Sequence, residues 1–307
     1  MTERIHYDEF AYFHENASEY GIPYAAPPVV RRDSIEVAPG RCVSFLVWGE
    51  GEPEYVFLHG GGQNAHTWDT VALALGRPLV AIDLPGHGHS DDVADPSRLS
   101  PQDNAADVAH VVRAVAPNAK VIVGMSLGGL TTIALAAHAP ELVRRAVIVD
   151  VTPGVNSDKS KAISDFIRGP ATFPSFEDLL ARTIEHNSTR TVESLRRGIL
   201  HNAFQLEDGS WMWRYRRFPG GGVVGGVVTA TEHPNWAPLW DLLGANTAPV
   251  LLVRGMRVQS VVDDADVAEL MRRRPDAEVI EVVEAGHSVQ GDTPVELAEM
   301  IRDFAAR

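Results

Sequence analysis

Short apolar runs that keep returning between helix-patterned stretches constrain this chain most. Residues 42–48, 55–58, 79–83, 121–124, 146–150, 250–254 and 278–283 are rich in β-branched side chains. Several, such as VIVG at 121–124 and VLLV at 250–253, are almost unbroken in apolar character. A strand with one wet face alternates polar and apolar residues, so unbroken runs mark strands covered on both faces, as in a parallel sheet. Between them lie helical patterns at 101–115 and 127–139. This alternation predicts an α/β fold with a doubly wound, mostly parallel sheet.

The alternation breaks over 154–240. That stretch reads as helical at 159–167, 176–186 and 192–204, then as Trp-rich at 211–218 and Gly-rich at 220–226. Because the strand pattern resumes at Val250, we read an insertion into one core formed by 41–153 and 241–307. The insertion holds ten of the chain's 22 Phe, Trp and Tyr residues. It needs a small core of its own, and Phe166, Phe173, Trp211 and Trp213 are expected to line a ligand cleft in part. Residues 1–40 form an arm whose six aromatics, Tyr7 to Tyr24, are expected to pack on the body.

Composition excludes several functions. With 27 basic and 41 acidic residues the net charge is −14, which repels phosphate backbones and anionic lipid. A single cysteine, Cys42, leaves no internal disulfide and no cysteine zinc cluster. The charged N-terminus lacks the apolar run of a secretory signal, and no stretch nears the ~18–20 apolar residues that span a bilayer. The expectation is a soluble, cytoplasmic protein with a small-molecule partner, and neither nucleic acid nor membrane.

Three motifs carry chemistry. Gly124-Met125-Ser126-Leu127-Gly128 sits between a strand and a helix, where a sharp turn lifts the serine hydroxyl above the sheet edge and needs tiny neighbours on each side. Leu58-His59-Gly60-Gly61-Gly62 closes a strand, and its glycines let backbone N–H groups approach a developing oxyanion. Gly286-His287-Ser288 follows the last strand, where a general base for Ser126 belongs. His59 reads as a loop anchor, and His66, in the loop after the glycines, can line the cleft with Gly62. Two patterns are decoys. Gly220–Gly225 matches G-x-G-x-x-G without the strand and helix a dinucleotide needs, and His87-Gly88-His89-Ser90-Asp91-Asp92 lacks the last histidine of a two-zinc set.

These motifs, with Asp83-Leu84-Pro85-Gly86-His87-Gly88-His89-Ser90 and GHSVQGDTP at 286–294, resemble the α/β-hydrolase superfamily over residues 41–305, most of all its cap-bearing serine esterases and lactonases. The resemblance implies Ser126 as nucleophile, His287 as base, the N–H groups of Gly61 and Leu127 as oxyanion hole, the insertion as a cap, and no cofactor. It implies cleavage of a carboxylic ester or lactone. Carbon–carbon bond hydrolases and thioesterases use the same serine and histidine, and a non-catalytic ligand-binding relative is the rival from another class.

The acid is where this chain departs from the pattern. The family's common position, three residues past the glycine that follows 250–254, is Val258. Asp263, Asp264 and Asp266 stand at the start of a helical pattern, where capping and the helix dipole account for them. Asp150 ends an apolar strand, where a lone carboxylate is costly unless paired. It also keeps the order nucleophile, acid, base along the chain. The expectation is Asp150 on His287 Nδ1.

Overall fold

The computed structural model describes residues 5–95, 99–187, 189–215 and 235–307, with the backbone of 223–224 and 227–228. Eight strands form the central sheet: β1 (Val30–Ala38), β2 (Arg41–Trp48), β3 (Tyr55–Leu58), β4 (Leu79–Ile82), β5 (Val121–Met125), β6 (Ala146–Val149), β7 (Val250–Gly255) and β8 (Glu278–Val282). Their order is β1-β2-β4-β3-β5-β6-β7-β8. From β4 to β8 every pairing is parallel, while β2 runs antiparallel to both β1 and β4.

The unbroken apolar runs are divided between two cores. In β5, β6 and β7 the side chains of Ile122, Ile148 and Leu252 enter one core, and those of Val123, Val147 and Leu251 enter the other. Helices α3 (Pro101–Val115), α4 (Leu127–His138) and α8 (Leu239–Ala245) close the first. Helix α1 (Phe13–Glu19), α2 (Asp69–Leu75) and α11 (Pro294–Ala305) close the second. The observed strands match the runs to within a residue or two at each end. One strand lies where an arm is expected: Val30–Ala38 belongs to the sheet. It is an edge strand, carries Arg31, Arg32, Asp33, Ser34 and Glu36, and so presents no apolar run to read.

Between β6 and β7 come α5 (Lys161–Ile167), α6 (Phe176–His186) and α7 (Val192–Asn202). Helix α7 ends at Asn202, two residues before the expected end. Ala203–Gln205 then pairs with Trp211–Trp213, which also pairs with Thr172–Phe173. These elements bury a cluster of their own, including Phe173, Phe176, Leu179, Leu200, Trp211 and Trp213. Gly220–Gly222 and Gly225 of the G-x-G-x-x-G match lie outside the described residues. Two elements complete the C-terminal half: α9 (Asp264–Arg273), and α10 (Val289–Asp292) just before α11.

The segment before β1 packs on the body, partly through charge. Glu9 meets Arg32 and His66, Arg32 also meets Asp83, and Arg197 of α7 meets Glu19 and Asn16 of α1. It thereby ties the insertion to the core.

Candidate active site

Ser126 stands between β5 and α4 with φ +50°, a conformation that an L-residue rarely adopts. The flanking glycines allow it. A Cβ at Gly124 would lie 2.2 Å from the Gly128 carbonyl oxygen, and one at Gly128 would lie 2.2 Å from that of Leu58. Larger residues would push the elbow off the sheet edge.

Among the described residues, the one other non-glycine with positive φ is Asp150, at +45°. It is fully buried at the end of β6 and its carboxylate is saturated. Oδ1 accepts from Gly255 N at 2.9 Å and Ser260 Oγ at 2.6 Å. Oδ2 accepts from Val261 N at 3.1 Å and His287 Nδ1 at 2.9 Å. Since a carboxylate only accepts, Nδ1 carries a proton, and in the neutral ring the free lone pair is then on Nε2. His287 and Ser126 line one cavity of about 200 Å³, together with Gly60, Gly61, Gly62 and the α5 residues Ala162, Ile163, Phe166 and Ile167.

The other acids are engaged elsewhere. Asp263 caps α9 in a reciprocal capping box with Asp266, Lys159 bridges both, and Asp264 pairs with Arg254. Val258, at the family's common acid position, carries no charge and is exposed, while the same loop's Ser260 and Val261 donate to Asp150.

Two histidines shape the glycine loop. His59 Nδ1 donates to the Gly60 carbonyl at 2.8 Å, and its Nε2 accepts from Leu84 N at 2.9 Å. The Gly60 carbonyl and the Gly61 N–H belong to one planar trans peptide, so holding the carbonyl fixes the N–H on the opposite side. His87 Nε2 accepts from Gly62 N at 3.1 Å while its Nδ1 donates to the Pro85 carbonyl at 3.0 Å. Burial lowers the pKa of both; His59 falls to about 3, helped by its neighbour His87 and opposed by Asp83. Both rings are therefore neutral, as their acceptor nitrogens require. His59 is the expected anchor. The role of His87 escapes sequence reading because its partner is 25 residues away.

A second chamber of about 170 Å³ lies beside the first, and Gly62, Gln63, Phe166, Asn187 and Arg190 line both. His66 and Trp213 line this second chamber and not the Ser126 cavity. Phe173 and Trp211 line neither: at 5% and 4% exposure they fill the insertion's core, which needs its largest rings. Of the four aromatics expected in the cleft, Phe166 alone reaches the Ser126 cavity.

His66, Asp69 and His201 converge closely enough to suggest a metal site. Their geometry argues otherwise. His66 uses both nitrogens on carboxylates, Nδ1 to Asp69 at 2.9 Å and Nε2 to Glu9 at 3.0 Å. The His66 and His201 rings stack at 3.9 Å and 13°, so their in-plane lone pairs run side by side instead of converging on one ion. Burial opposes charge on His66, but Asp69 and Glu9 outweigh it and raise its pKa to about 9.

The comparisons with known proteins agree with this geometry. The model of the alpha/beta hydrolase family matches residues 55–300. The chain belongs to that family. It is 44% identical over 302 residues to the esterase Rv0045c of Mycobacterium tuberculosis, covering 96% of this chain and 95% of that one. The crystal structure described as a novel esterase Rv0045c superposes with a TM-score of 0.83 at 42% identity, covering 99% of this chain and all (100%) of that one. Protein phosphatase methylesterase 1 of Mus musculus is 32% identical over 176 residues, 53% of this chain and 45% of that protein. Among the described residues, no helix of this α/β-hydrolase is long and apolar enough to cross a membrane.

Proposed function

We propose that the protein is a serine hydrolase that cleaves carboxylic esters through an acyl-enzyme on Ser126. The observation that carries this reading is the shared cavity: a strained serine at a helix N-terminus, and an imidazole whose Nδ1 is bonded to a buried carboxylate. Ser126 Oγ attacks the ester carbonyl carbon and His287 Nε2 takes the hydroxyl proton. The N–H groups of Gly61, whose peptide His59 holds through the Gly60 carbonyl, and of Leu127 receive the resulting oxyanion. The C–O bond then breaks and His287 returns its proton to the leaving alcohol. Water repeats the sequence on the acyl-enzyme, releasing the acid. Asp150 keeps His287 in the right tautomer and stabilises the imidazolium.

Carbon–carbon bond hydrolases and thioesterases share this serine and histidine, but the 44% identity to a protein named esterase favours the ester. The insertion, 154–240, acts in this reading as a lid: α5 and the α6–α7 connection supply one wall of the cavity. A fluorophosphonate probe tests the nucleophile. The parent protein should label and turn over a short p-nitrophenyl ester. Ser126→Ala should do neither, with a loss of roughly 10³-fold or more. Labelling of Ser126→Ala, or near-parent turnover by it, would sink the reading.

A further inference from the structure

We infer that Arg190 receives a carboxylate of the substrate, so that the preferred esters carry an acid group away from the scissile bond; this rests on the esterase reading above. Arg190 is shared by the two chambers, and one of them contains Ser126 and His287. The guanidinium is held in place. One Nη2 hydrogen bond goes to Ser194 Oγ, and the group packs on Gly291, where a Cβ would stand 2.0 Å from Nη1. Tyr20 O–H fixes that glycine by donating to its carbonyl at 2.7 Å.

Among the arginines and lysines that line the two chambers, Arg190 is the one with no counter-ion among the described residues. In this acidic chain Arg32, Arg197, Arg254 and Arg274 each pair with a carboxylate, and Arg214 lies on the faces of Tyr7 and Phe204. Among the described residues no carboxylate comes within 4.0 Å of Arg190, and its buried Nε has no partner. The other charges in the two chambers are engaged, with a counter-ion for Asp69, Arg197 and Lys159 and with neutral donors for Asp292. Asp69 faces the imidazolium of His66, Arg197 is taken by Glu19, and Lys159 lies on Asp263 and Asp266. Asp292 accepts from Gly286 N at 2.8 Å and Thr189 Oγ1 at 3.1 Å. A half-buried guanidinium with its Nε out of water and no anion is costly, and an arriving carboxylate offsets that cost with charge-assisted hydrogen bonds. The planar fork of arginine suits a carboxylate.

The test compares monoethyl glutarate, with its acid on the acyl side, and 4-acetoxybutanoate, with its acid on the alcohol side, against the neutral ethyl ester of each. The parent enzyme should show kcat/KM at least about tenfold higher for one acidic ester than for its neutral counterpart, and that arm identifies the half of the substrate that Arg190 reads. Arg190→Met should reduce this ratio to near one, chiefly through KM, because the contact is remote from the reacting atoms. Arg190→Lys should restore part of it. The inference is overturned if the parent treats acidic and neutral esters alike, or if the preference survives in Arg190→Met. Failure of the esterase reading looks different: no ester of either kind turns over and the fluorophosphonate probe does not label.

Discussion

His287 and His66 are both buried, and each donates from Nδ1 to an aspartate at 2.9 Å. They differ at the other nitrogen. Nε2 of His287 is left to the cavity that holds Ser126, whereas Nε2 of His66 meets Glu9. One carboxylate orients an imidazole and leaves it able to accept a proton. A second carboxylate holds the proton on, and at a pKa of about 9 His66 stays charged through the neutral range. In the proposed mechanism the same side chain thus serves as a base at the sheet edge, while beneath the arm it is a fixed cation. Their aspartates differ as well. Asp150 keeps three donors without its histidine, while Asp69 Oδ1 is buried with no partner.

Removing each histidine should separate the two roles, and this is the largest effect expected. His287→Ala should lower kcat on a p-nitrophenyl ester by roughly 10³-fold or more, with little change in the urea midpoint, because Asp150 remains satisfied. His66→Ala should do the reverse. It leaves Glu9 and Asp69 without their shared cation, and should cost roughly 3–5 kcal/mol of stability, while kcat of the folded fraction stays within several-fold. Equal losses of activity in the two variants would erase the distinction.

Glu9→Gln should give a smaller change, read in pH. His66 has its folded pKa raised above the unfolded value near 6.5, so its contribution is complete below about 6.5 and is lost as pH rises towards 9. Burial works against Glu9 ionisation, but His66 and Arg32 overcome it and lower its pKa to about 2. Its contribution is therefore complete above about 4.5 and lost as pH falls towards 2. In Glu9→Gln the alkaline decline of Tm should still begin near pH 6.5 but be shallower and end at lower pH, and the acid decline should be shallower as well. Superimposable Tm profiles from pH 3 to 10 would mean that the arm carboxylate does not hold the His66 charge. Smallest of all, Asp263→Asn keeps a good capping residue, and should change stability by less than about 1 kcal/mol and turnover by less than about twofold.

The sheet was legible in sequence because its strands are covered on both faces, and the elbow because Gly124 and Gly128 mark a backbone that admits nothing larger. Asp150 stood out as a carboxylate ending an apolar strand. Other features are tertiary. Ser260 and Val261 meet Asp150 across 110 and 111 residues, and Glu9 meets His66 across 57, with no local pattern to signal either contact. The aromatics of the insertion misled for a related reason. Large rings fill a small core as readily as they line a cleft, and composition alone does not separate Phe166 from Phe173 or Trp211.

We propose that the acid serving His287 stands at the end of β6 and not on the loop after β7. Asp150→Asn tests it most directly, because an amide fills the same space but no longer holds the Nδ1–H tautomer as a carboxylate does. Turnover of a p-nitrophenyl ester should fall by about 10²–10⁴-fold while the fold persists by circular dichroism. Turnover within a few-fold of the parent, with the large loss appearing instead in Asp263→Asn or Asp266→Asn, would contradict the account.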